Sequence, residues 1–254
     1  MSEHIAEVNV TESTMNVTPY QSSEGGKKEQ VEQMFDNISS KYDFLNRSLS
    51  FGIDIIWRKM MMRQLKDLKP QLILDVATGT ADVAIEAVNL HPKHIIGVDI
   101  SEGMLQVGRE KILKKKLQHI IDLEKGDSEN LRYADNSFDA VTVAFGVRNF
   151  ENLQLGLSEL HRVLKPQGKV VILEFSRPRL FIVKHVYDWY FRYLCPCWGK
   201  LISKDYSAYK YLYESVKAFP EGEGFTSIAE KAGFQHMKVK RVTLGIVSLY
   251  TAVK

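Results

Sequence analysis

The chain has 254 residues, of which 44% are hydrophobic and 26% are charged, and its formal net charge is +3. The length predicts one α/β domain with additions, over residues 27–254, and the composition is typical of a soluble globular protein. The balance of 34 basic and 31 acidic side chains is too even to argue for a nucleic-acid-binding protein.

The polar N-terminal segment, residues 1–26, is predicted to be a disordered tail. It lacks the apolar core of a secretory signal, and its first 17 residues contain three Glu and no Arg, unlike a mitochondrial transit peptide. No apolar run approaches the roughly 20 residues of a transmembrane helix. We therefore expect a cytoplasmic, bacterial protein.

Two amphipathic cap helices are predicted next, within residues 27–69. Apolar side chains recur at helical spacing from Val31 to Ile38, and again from Trp57 to Leu68. Both stripes precede the first predicted strand, so these helices are an N-terminal addition to the core.

The core, residues 70–176, alternates between strands and helices. Strands are predicted at residues 72–76, 94–98, 120–124, 140–144 and 169–175, and helices at 81–89, 101–116 and 152–164. This alternation predicts a doubly wound, Rossmann-like parallel sheet. Ligands of such sheets lie beyond the carboxyl ends of the strands.

The alternation breaks over residues 177–225, which hold 13 of the 26 aromatic residues. This aromatic-rich insertion is either a helical subdomain with its own small core or a hydrophobic cover for an apolar substrate. Basic side chains interleaved with the aromatics suit an anionic membrane surface: Lys184, Arg192, Lys200 and Lys204. Single-stranded nucleic acid is a weaker alternative, because the net charge is low.

The last segment, residues 226–254, predicts a helix at 226–232 and strands at 235–244 and 246–253. The strands are joined around Gly245 as a hairpin, so the final strand should be antiparallel to the others.

The two cysteines, Cys195 and Cys197, are separated by one proline. A zinc site needs four ligands at other spacings, and a disulfide framework needs more cysteines. We expect two reduced packing cysteines and no metal site.

Residues 74–82 read LDVATGTAD, in which an acidic residue precedes a loop with one glycine. The loop lacks the Gly-Lys-Ser/Thr of a P-loop and the three glycines of a dinucleotide fingerprint. Asp99 ends the next strand, 20 residues after Gly79, and this spacing places a carboxylate beside a ribose. Asp127 follows the third strand, where it can accept from an adenine amino group. Asp75 can face a cation or brace the loop, so an adenosine with a charged amino-acid tail and no phosphate fits best: S-adenosylmethionine.

Each carboxylate also has a purely structural interpretation. Asp75 could cap loop amides, Asp99 could be the N-cap of the following helix, and Asp127 could be an ordinary turn residue. Their order at three successive strand ends favours the cofactor site.

The motifs together resemble a class I S-adenosylmethionine-dependent methyltransferase, and more narrowly the UbiE-type C-methyltransferases of menaquinone and ubiquinone biosynthesis. The resemblance rests on LDVATGTADVA, GVDISEGML and ELHRVLKPQGKVVILEF in the core, and on the flanking MFDNISSKYDFLNRSLSFGIDIIWR and SKDYSAYKYLYESVKAFPEGEGF. The core motifs specify only the cofactor, whereas the flanking segments and AFGVRN are specific to the quinone branch.

The resemblance implies cofactor contacts at the strand ends, and with the loop residues the predicted set is Asp75, Thr78, Gly79, Asp99, Asp127, Ser128, Ala144 and Tyr42. The family usually has serine where Ala144 stands, and alanine leaves only a backbone contact. Tyr42 and Asp43 could close over the cofactor as a lid, or Tyr42 could be a packing tyrosine at a helix end.

The resemblance also implies methylation of a quinol ring carbon, which requires a phenolate. Arg148 follows the fourth strand and is predicted to stabilise the phenolate, with Asn149 orienting a ring oxygen or a water. The alternative for Arg148 is a salt bridge with a carboxylate such as Glu151. Glu174 could line the pocket, be a packing residue or contact solvent, and no proton acceptor is identified.

The leading hypothesis is therefore the conversion of demethylmenaquinol to menaquinol with S-adenosylmethionine. The alternatives are the same chemistry on 2-methoxy-6-polyprenyl-1,4-benzoquinol, methylation of another small molecule or RNA, and a non-catalytic scaffold that binds the cofactor. The expected partners are a prenylated quinol and the membrane surface, contacted peripherally, without nucleic acid. The oligomeric state stays open, with a homodimer as one option.

Overall fold

The computed structural model describes residues 17–20, 25–194 and 206–254. Its strands are β1 (Leu72–Val76), β2 (His94–Asp99), β3 (Ile121–Lys125), β4 (Phe138–Ala144), β5 (Leu164–Phe175), β6 (Gln235–Val242) and β7 (Val247–Val253). Its helices are α1 (Lys27–Leu49), α2 (Ile53–Leu65), α3 (Asp82–Ala87), α4 (Glu102–Lys114), α5 (Leu153–Val163), α6 (Phe181–Trp189), α7 (Tyr206–Ala218) and α8 (Glu223–Lys231).

Shorter helical turns join these elements at Lys66–Leu68, Val88–Leu90, Val147–Asn149 and Thr243–Gly245. Helix α6 continues directly into a π-helical turn at Tyr190–Leu194.

The strands form one seven-stranded sheet in the order β3-β2-β1-β4-β5-β7-β6. Strands β1 to β5 are parallel, which confirms the Rossmann-like sheet predicted from the alternating pattern. The strand order reverses between β1 and β4, so the loops after these strands open a crevice at the carboxyl edge. The C-terminal hairpin is also confirmed, because β7 is antiparallel to both β5 and β6.

Strand β5 differs most from its prediction, because it begins at Leu164 and not at residue 169. Leu164 pairs with Phe138, and the pairing with β4 resumes in shifted register at Lys169. Residues 165–168, which separate the predicted helix from the predicted strand, therefore form a bulge within β5, and Gln167 occupies the left-handed region there, with φ of 64°.

Helices cover both faces of the sheet. Side chains of α5 and α8 pack on one face, around Leu157 and Phe225, and those of α2 and α3 pack on the other, around Met61 and Ala84. Each face is sealed by fully buried aliphatic side chains, and removing one such as Leu157 would cost about 2–5 kcal/mol of stability.

A third cluster joins the N-terminal cap to the aromatic-rich insertion. Met34 and Ile38 of α1 pack with Tyr187 of α6 and with Ala208 and Tyr211 of α7. The insertion thus shares its core with α1 along the carboxyl edge of the sheet.

Both cysteines, Cys195 and Cys197, lie outside the residues that the structure describes, and so does most of the predicted tail. The predictions made for them stay predictions. Among the described helices, none combines the length and apolar character needed to cross a membrane.

Candidate active site

Two cavities lie side by side at the carboxyl edge of the sheet. The first, which we call the edge cleft, is lined by residues at the ends of β1, β2, β3 and β4 and by residues of α1. The second, the aromatic cavity, is the larger of the two and lies between α1, α2, α6 and α7. Phe35, Tyr42 and Phe145 line both, so the two cavities meet at these three rings.

The charges around the edge cleft are mainly negative. Its ionisable lining residues are four carboxylates, one lysine and one tyrosine: Asp99, Asp127, Glu129, Glu151, Lys28 and Tyr42. Such a cleft repels phosphate groups and attracts a cationic ligand. This charge pattern fits S-adenosylmethionine, whose sulfonium and amino group are positive, better than it fits a dinucleotide.

Asp75 braces the loop between β1 and α3. Its Oδ1 accepts from the Thr142 hydroxyl at 2.7 Å, and its Oδ2 accepts from the Thr78 hydroxyl at 2.6 Å. Burial raises the pKa of Asp75 to about 6, against the effect of these hydrogen bonds. Neither Asp75 nor Thr78 is among the residues that line the edge cleft. Of the two roles predicted for Asp75, the geometry favours bracing the loop.

Asp99 lines the edge cleft at the end of β2. Its Oδ2 accepts from the amide of Gly79 at 2.7 Å, and its Oδ1 accepts from the amide of Ser101 at 2.9 Å. Burial raises the pKa of Asp99 to about 6. Each oxygen keeps a further lone pair, so the carboxylate retains the capacity to accept from a diol.

The alternative role of Asp99 as a helix cap is wrong. The N-cap of α4 is Ser101, whose hydroxyl accepts from the amide of Met104 at 3.1 Å. Gly79 lies in the left-handed region, with φ of 55°, where glycine is favoured. The carboxylate of Asp99 thus joins the β1 loop to the start of α4.

Asp127 and Ser128 both line the edge cleft after β3. Oδ1 of Asp127 accepts from the amide of Glu129 at 2.9 Å, as in a turn, while Oδ2 lies 2.7 Å from Nζ of Lys28. The carboxylate that was predicted to accept from adenine is therefore paired with a lysine of α1. No local pattern predicts the contact with Lys28, because Lys28 is 99 residues from Asp127 in the sequence.

Helix α1 lies across the edge cleft and is tied to successive loops. Oδ1 of Asp36 accepts from the hydroxyl of Ser101 at 2.6 Å and from the amide of Gly103 at 2.8 Å. Farther along, Oδ2 of Asp43 lies 2.8 Å from Nζ of Lys111. Tyr42, between these anchors, lines both cavities, and burial raises its pKa. This position fits the predicted lid.

Lys27, at the start of α1, anchors the loop after β4. Its Nζ donates to the carbonyl oxygens of Arg148 at 3.1 Å and Phe150 at 2.8 Å. Burial lowers the pKa of Lys27 to about 8. Its amide donates to Oε1 of Glu151 at 3.0 Å, so the helix start and this loop are held together at several points.

Arg148 lines the aromatic cavity from the turn Val147–Asn149. Its Nη1 donates to Oε1 of Glu174 at 2.7 Å and also to the carbonyl oxygen of Phe145. The guanidinium carbon lies 5.5 Å from the centre of the Phe175 ring, a cation–π distance. Within the described residues, Nε of Arg148 has no hydrogen-bond partner although it is buried.

The carboxylate that pairs with Arg148 differs from the predicted example. Glu151 accepts from Lys27, and Glu174, at the end of β5, holds the guanidinium. Glu174 is fully buried and lines neither cavity, so the pocket-lining role considered for it is wrong. Burial raises the pKa of Glu174, and the charge of Arg148 opposes that shift.

Asn149 and Ala144 line the edge cleft, whereas Arg148 lines the aromatic cavity. Oδ1 of Asn149 accepts from the hydroxyl of Tyr211, in α7, at 3.0 Å. Adjacent residues of one turn therefore serve the two cavities near the rings where the cavities meet. The described residues contain no cluster of side chains suited to a metal ion.

The chain is similar over most of its length to a known protein family and to individual proteins. The profile of the ubiE/COQ5 methyltransferase family matches residues 23–254. The demethylmenaquinone methyltransferase of Bacteroides fragilis is 52% identical over 239 residues, which cover 94% of this chain and 97% of that protein. The ubiquinone/menaquinone biosynthesis C-methyltransferase UbiE of Geotalea daltonii is 44% identical over 230 residues, which cover 90% of this chain and 97% of that protein.

Solved structures share the fold at low sequence identity. An S-adenosylmethionine-dependent methyltransferase of Thermotoga maritima has a TM-score of 0.59 at 18% identity, with 87% of this chain and 99% of that chain covered. A phosphoethanolamine N-methyltransferase of Haemonchus contortus, in complex with S-adenosyl-L-methionine, has a TM-score of 0.56 at 20% identity, with 84% and 59% covered. These structures show the fold. The family profile, which matches residues 23–254, and the relatives at 52% and 44% identity show that this protein belongs to the ubiE/COQ5 methyltransferase family.

Proposed function

We propose that this protein transfers a methyl group from S-adenosylmethionine to a ring carbon of a prenylated quinol, and that its substrate is demethylmenaquinol. The observation that carries the proposal is the meeting of an acidic cleft and a large aromatic cavity at Phe35, Tyr42 and Phe145. A cationic cofactor and an apolar substrate can thus reach a common point from opposite sides. The name of the Bacteroides fragilis relative supports the choice of substrate.

The residues of the edge cleft can hold the cofactor by its polar groups. Asp99 would accept from the ribose hydroxyls, and Asp127, released from Lys28, would accept from the adenine amino group. Ser128 and the backbone of Ala144 complete the wall, while Asp75, Thr78 and Gly79 keep the loop in shape. When bound, S-adenosylmethionine supplies an electrophilic methyl group on its sulfonium.

The substrate would enter the aromatic cavity, whose lining includes two cations, Arg58 and Arg148. Arg58 is paired with Asp54 at 2.6 Å, whereas Arg148 lies in the turn next to Phe145, where the two cavities meet. Arg148 is therefore the cation assigned to the ring. A positive charge beside the ring hydroxyl lowers the pKa of that hydroxyl and favours the phenolate. The phenolate places electron density on the adjacent ring carbon, which is the nucleophile. That carbon would form the new bond to the methyl group as the methyl–sulfur bond breaks, and it would then lose its own proton to water, which restores the aromatic ring. Asn149 lies beside the junction and would orient a ring oxygen or a water.

The same arrangement would serve a benzoquinol of the ubiquinone pathway. The name of the Geotalea daltonii relative, which includes both quinones, supports this second candidate. Both reactions use the same residues, and they differ in the ring that the aromatic cavity accepts.

Deletion of the gene in its source organism would test the proposal. Mass spectrometry of the lipid-soluble quinones should show accumulation of demethylmenaquinone and loss of menaquinone. Accumulation of a demethylated methoxy-benzoquinone would favour the second candidate. An unchanged quinone profile would contradict both and favour a protein that binds the cofactor without methylating a quinol.

A further inference from the structure

Helix α6 is apolar on two sides. One side faces inward, where Val183 and Tyr187 line the aromatic cavity. The other side is exposed: Phe181 and Ile182 have 75% and 76% of their surface accessible, and Val186 and Trp189 are also exposed. A helix of a water-soluble protein normally turns polar residues outward, so an exposed apolar stripe on this scale indicates a contact surface.

The exposed residues form one continuous stripe. Their spacing along α6 places Phe181, Ile182, Val186 and Trp189 on the same side of the helix. Val186 is both exposed and part of the lining of the aromatic cavity, and so is Phe51 at the turn before α2. The stripe therefore borders the aromatic cavity.

The charges beside the stripe favour an anionic partner. Residues 179–192 contain three cations, Arg179, Lys184 and Arg192, and one carboxylate, Asp188. All three of these basic residues are exposed. A symmetric dimer formed through the stripe would bring the cations of the two copies near one another, which is unfavourable. An anionic lipid surface would attract them and would accept the apolar side chains.

We propose that α6 is a membrane-docking helix, with the stripe Phe181, Ile182, Val186 and Trp189 inserted into the lipid interface and the aromatic cavity facing the bilayer. This inference rests on the proposed function, because a prenylated quinol resides in the bilayer. Docking in this orientation lets the quinol ring enter the aromatic cavity while its tail stays in lipid.

Vesicle sedimentation tests the docking helix. The probe is vesicles of phosphatidylethanolamine with a minor fraction of phosphatidylglycerol. The variant Phe181→Ser/Ile182→Ser removes two apolar side chains that line neither cavity. Burial of each apolar side chain in the lipid interface favours the bound state, so we expect the binding of this variant to the vesicles to fall about tenfold or more.

A matched control carries Leu113→Ser/Leu155→Ser, two exposed leucines on α4 and α5. This control should bind vesicles as the wild-type protein does. Vesicles of phosphatidylethanolamine alone should bind the wild-type protein more weakly, because the cations would lose their anionic partners.

Methyl-transfer assays distinguish a failure of the docking hypothesis from a failure of the proposed function. With a short-tailed, water-soluble quinol and no vesicles, the Phe181→Ser/Ile182→Ser variant should keep the wild-type kcat and KM. With a long-tailed quinol in vesicles, its apparent KM should rise. Failure of the wild-type protein to methylate the soluble quinol would count against the proposed function and not against docking.

Two results would overturn the docking helix. One is equal vesicle binding by the wild-type protein and the variant, including no binding by either. The other is a wild-type dimer that becomes a monomer in the variant during analytical ultracentrifugation, without any loss of vesicle binding. The second result would assign the stripe to a contact between two copies of the chain.

Discussion

Nη1 of Arg148 lies 2.7 Å from Oε1 of Glu174, and both side chains are buried. The other carboxylate oxygen, Oε2, accepts from the amide of Arg148 at 3.3 Å. Glu174 therefore holds the side chain and the backbone of the residue that is proposed to stabilise the phenolate. A cation placed in this way can face the aromatic cavity without being free to move.

The variant Arg148→Lys keeps a positive charge but loses the planar fork of the guanidinium. If Arg148 stabilises the developing phenolate, kcat should fall about tenfold or more while KM changes less. In Arg148→Met, which has no positive charge, the rate profile should also move to higher pH, because the ring hydroxyl would ionise less readily. Steady-state kinetics across pH would measure both effects, and near-normal kcat in Arg148→Met would reduce Arg148 to a structural ion pair.

The buried pair predicts a specific pattern of stability. Arg148→Met leaves the Glu174 carboxylate without its cation, so the free energy of unfolding should fall by about 3–5 kcal/mol. The double variant Arg148→Met/Glu174→Leu should recover most of this loss. The exposed pair between Arg109 and Glu102 is the control, and Arg109→Met should cost less than about 1 kcal/mol in urea unfolding. Equal costs for the two single variants would contradict this account of the buried pair.

Asp99→Asn should weaken cofactor binding, because an amide accepts from the ribose hydroxyls less strongly than a carboxylate does. Hydrogen bonds to a charged group contribute roughly 1.5–3 kcal/mol, so affinity should fall by about one to two orders of magnitude. Calorimetry with S-adenosylhomocysteine would measure it. Unchanged affinity in a folded variant would exclude the ribose contact.

Cofactor affinity should also depend on pH through Asp99. Burial raises the pKa of Asp99 to about 6 in the free protein, and ribose hydroxyls that donate to the carboxylate would lower it in the complex. Affinity should therefore be constant well above pH 6 and fall as the pH drops below 6, by up to about tenfold per pH unit. This dependence should vanish in Asp99→Asn and persist in Asp75→Asn, because Asp75 does not line the edge cleft. A pH dependence that persists in Asp99→Asn and vanishes in Asp75→Asn would identify Asp75 as the titrating group.

Lys28 competes with adenine for Asp127 in this account. Lys28→Met would free the carboxylate, and a partly exposed ion pair of this kind contributes about 0.2–1 kcal/mol. Affinity for S-adenosylhomocysteine should therefore increase, by up to about fivefold. Lys125→Met is the matched control, because it also removes one ion pair of α1, with Glu32, but leaves Asp127 paired. An equal gain in both variants would indicate general loosening of α1, and a loss in Lys28→Met would make Lys28 part of the cofactor site.

The core of the fold could be predicted because each element carries its own local pattern. The five parallel strands and the C-terminal hairpin follow from alternating apolar runs and turn residues. The start of β5 could not be predicted, because Lys165, Pro166 and Gly168 are typical of a turn while pairing with Phe138 extends the strand. At this position, pairing with the neighbouring strand β4 determines where β5 begins.

The candidate site was predictable where its residues end successive strands, as Asp99 and Asp127 do. Its ion pairs were not, because Lys28 is 99 residues from Asp127 and Glu174 is 26 residues from Arg148. A signal for Glu174 did exist. It ends the predicted fifth strand, and neighbouring parallel strands bring their carboxyl ends together.

The most direct test of the central claim is methyl transfer in vitro. The purified protein would be incubated with S-adenosylmethionine carrying a labelled methyl group and with reduced, short-tailed demethylmenaquinol, and the product would be analysed by mass spectrometry and NMR. We expect one labelled methyl group on the ring carbon next to a hydroxyl, and much less product with Arg148→Lys. Labelled methyl on a ring oxygen, or cofactor binding without any transfer, would contradict it.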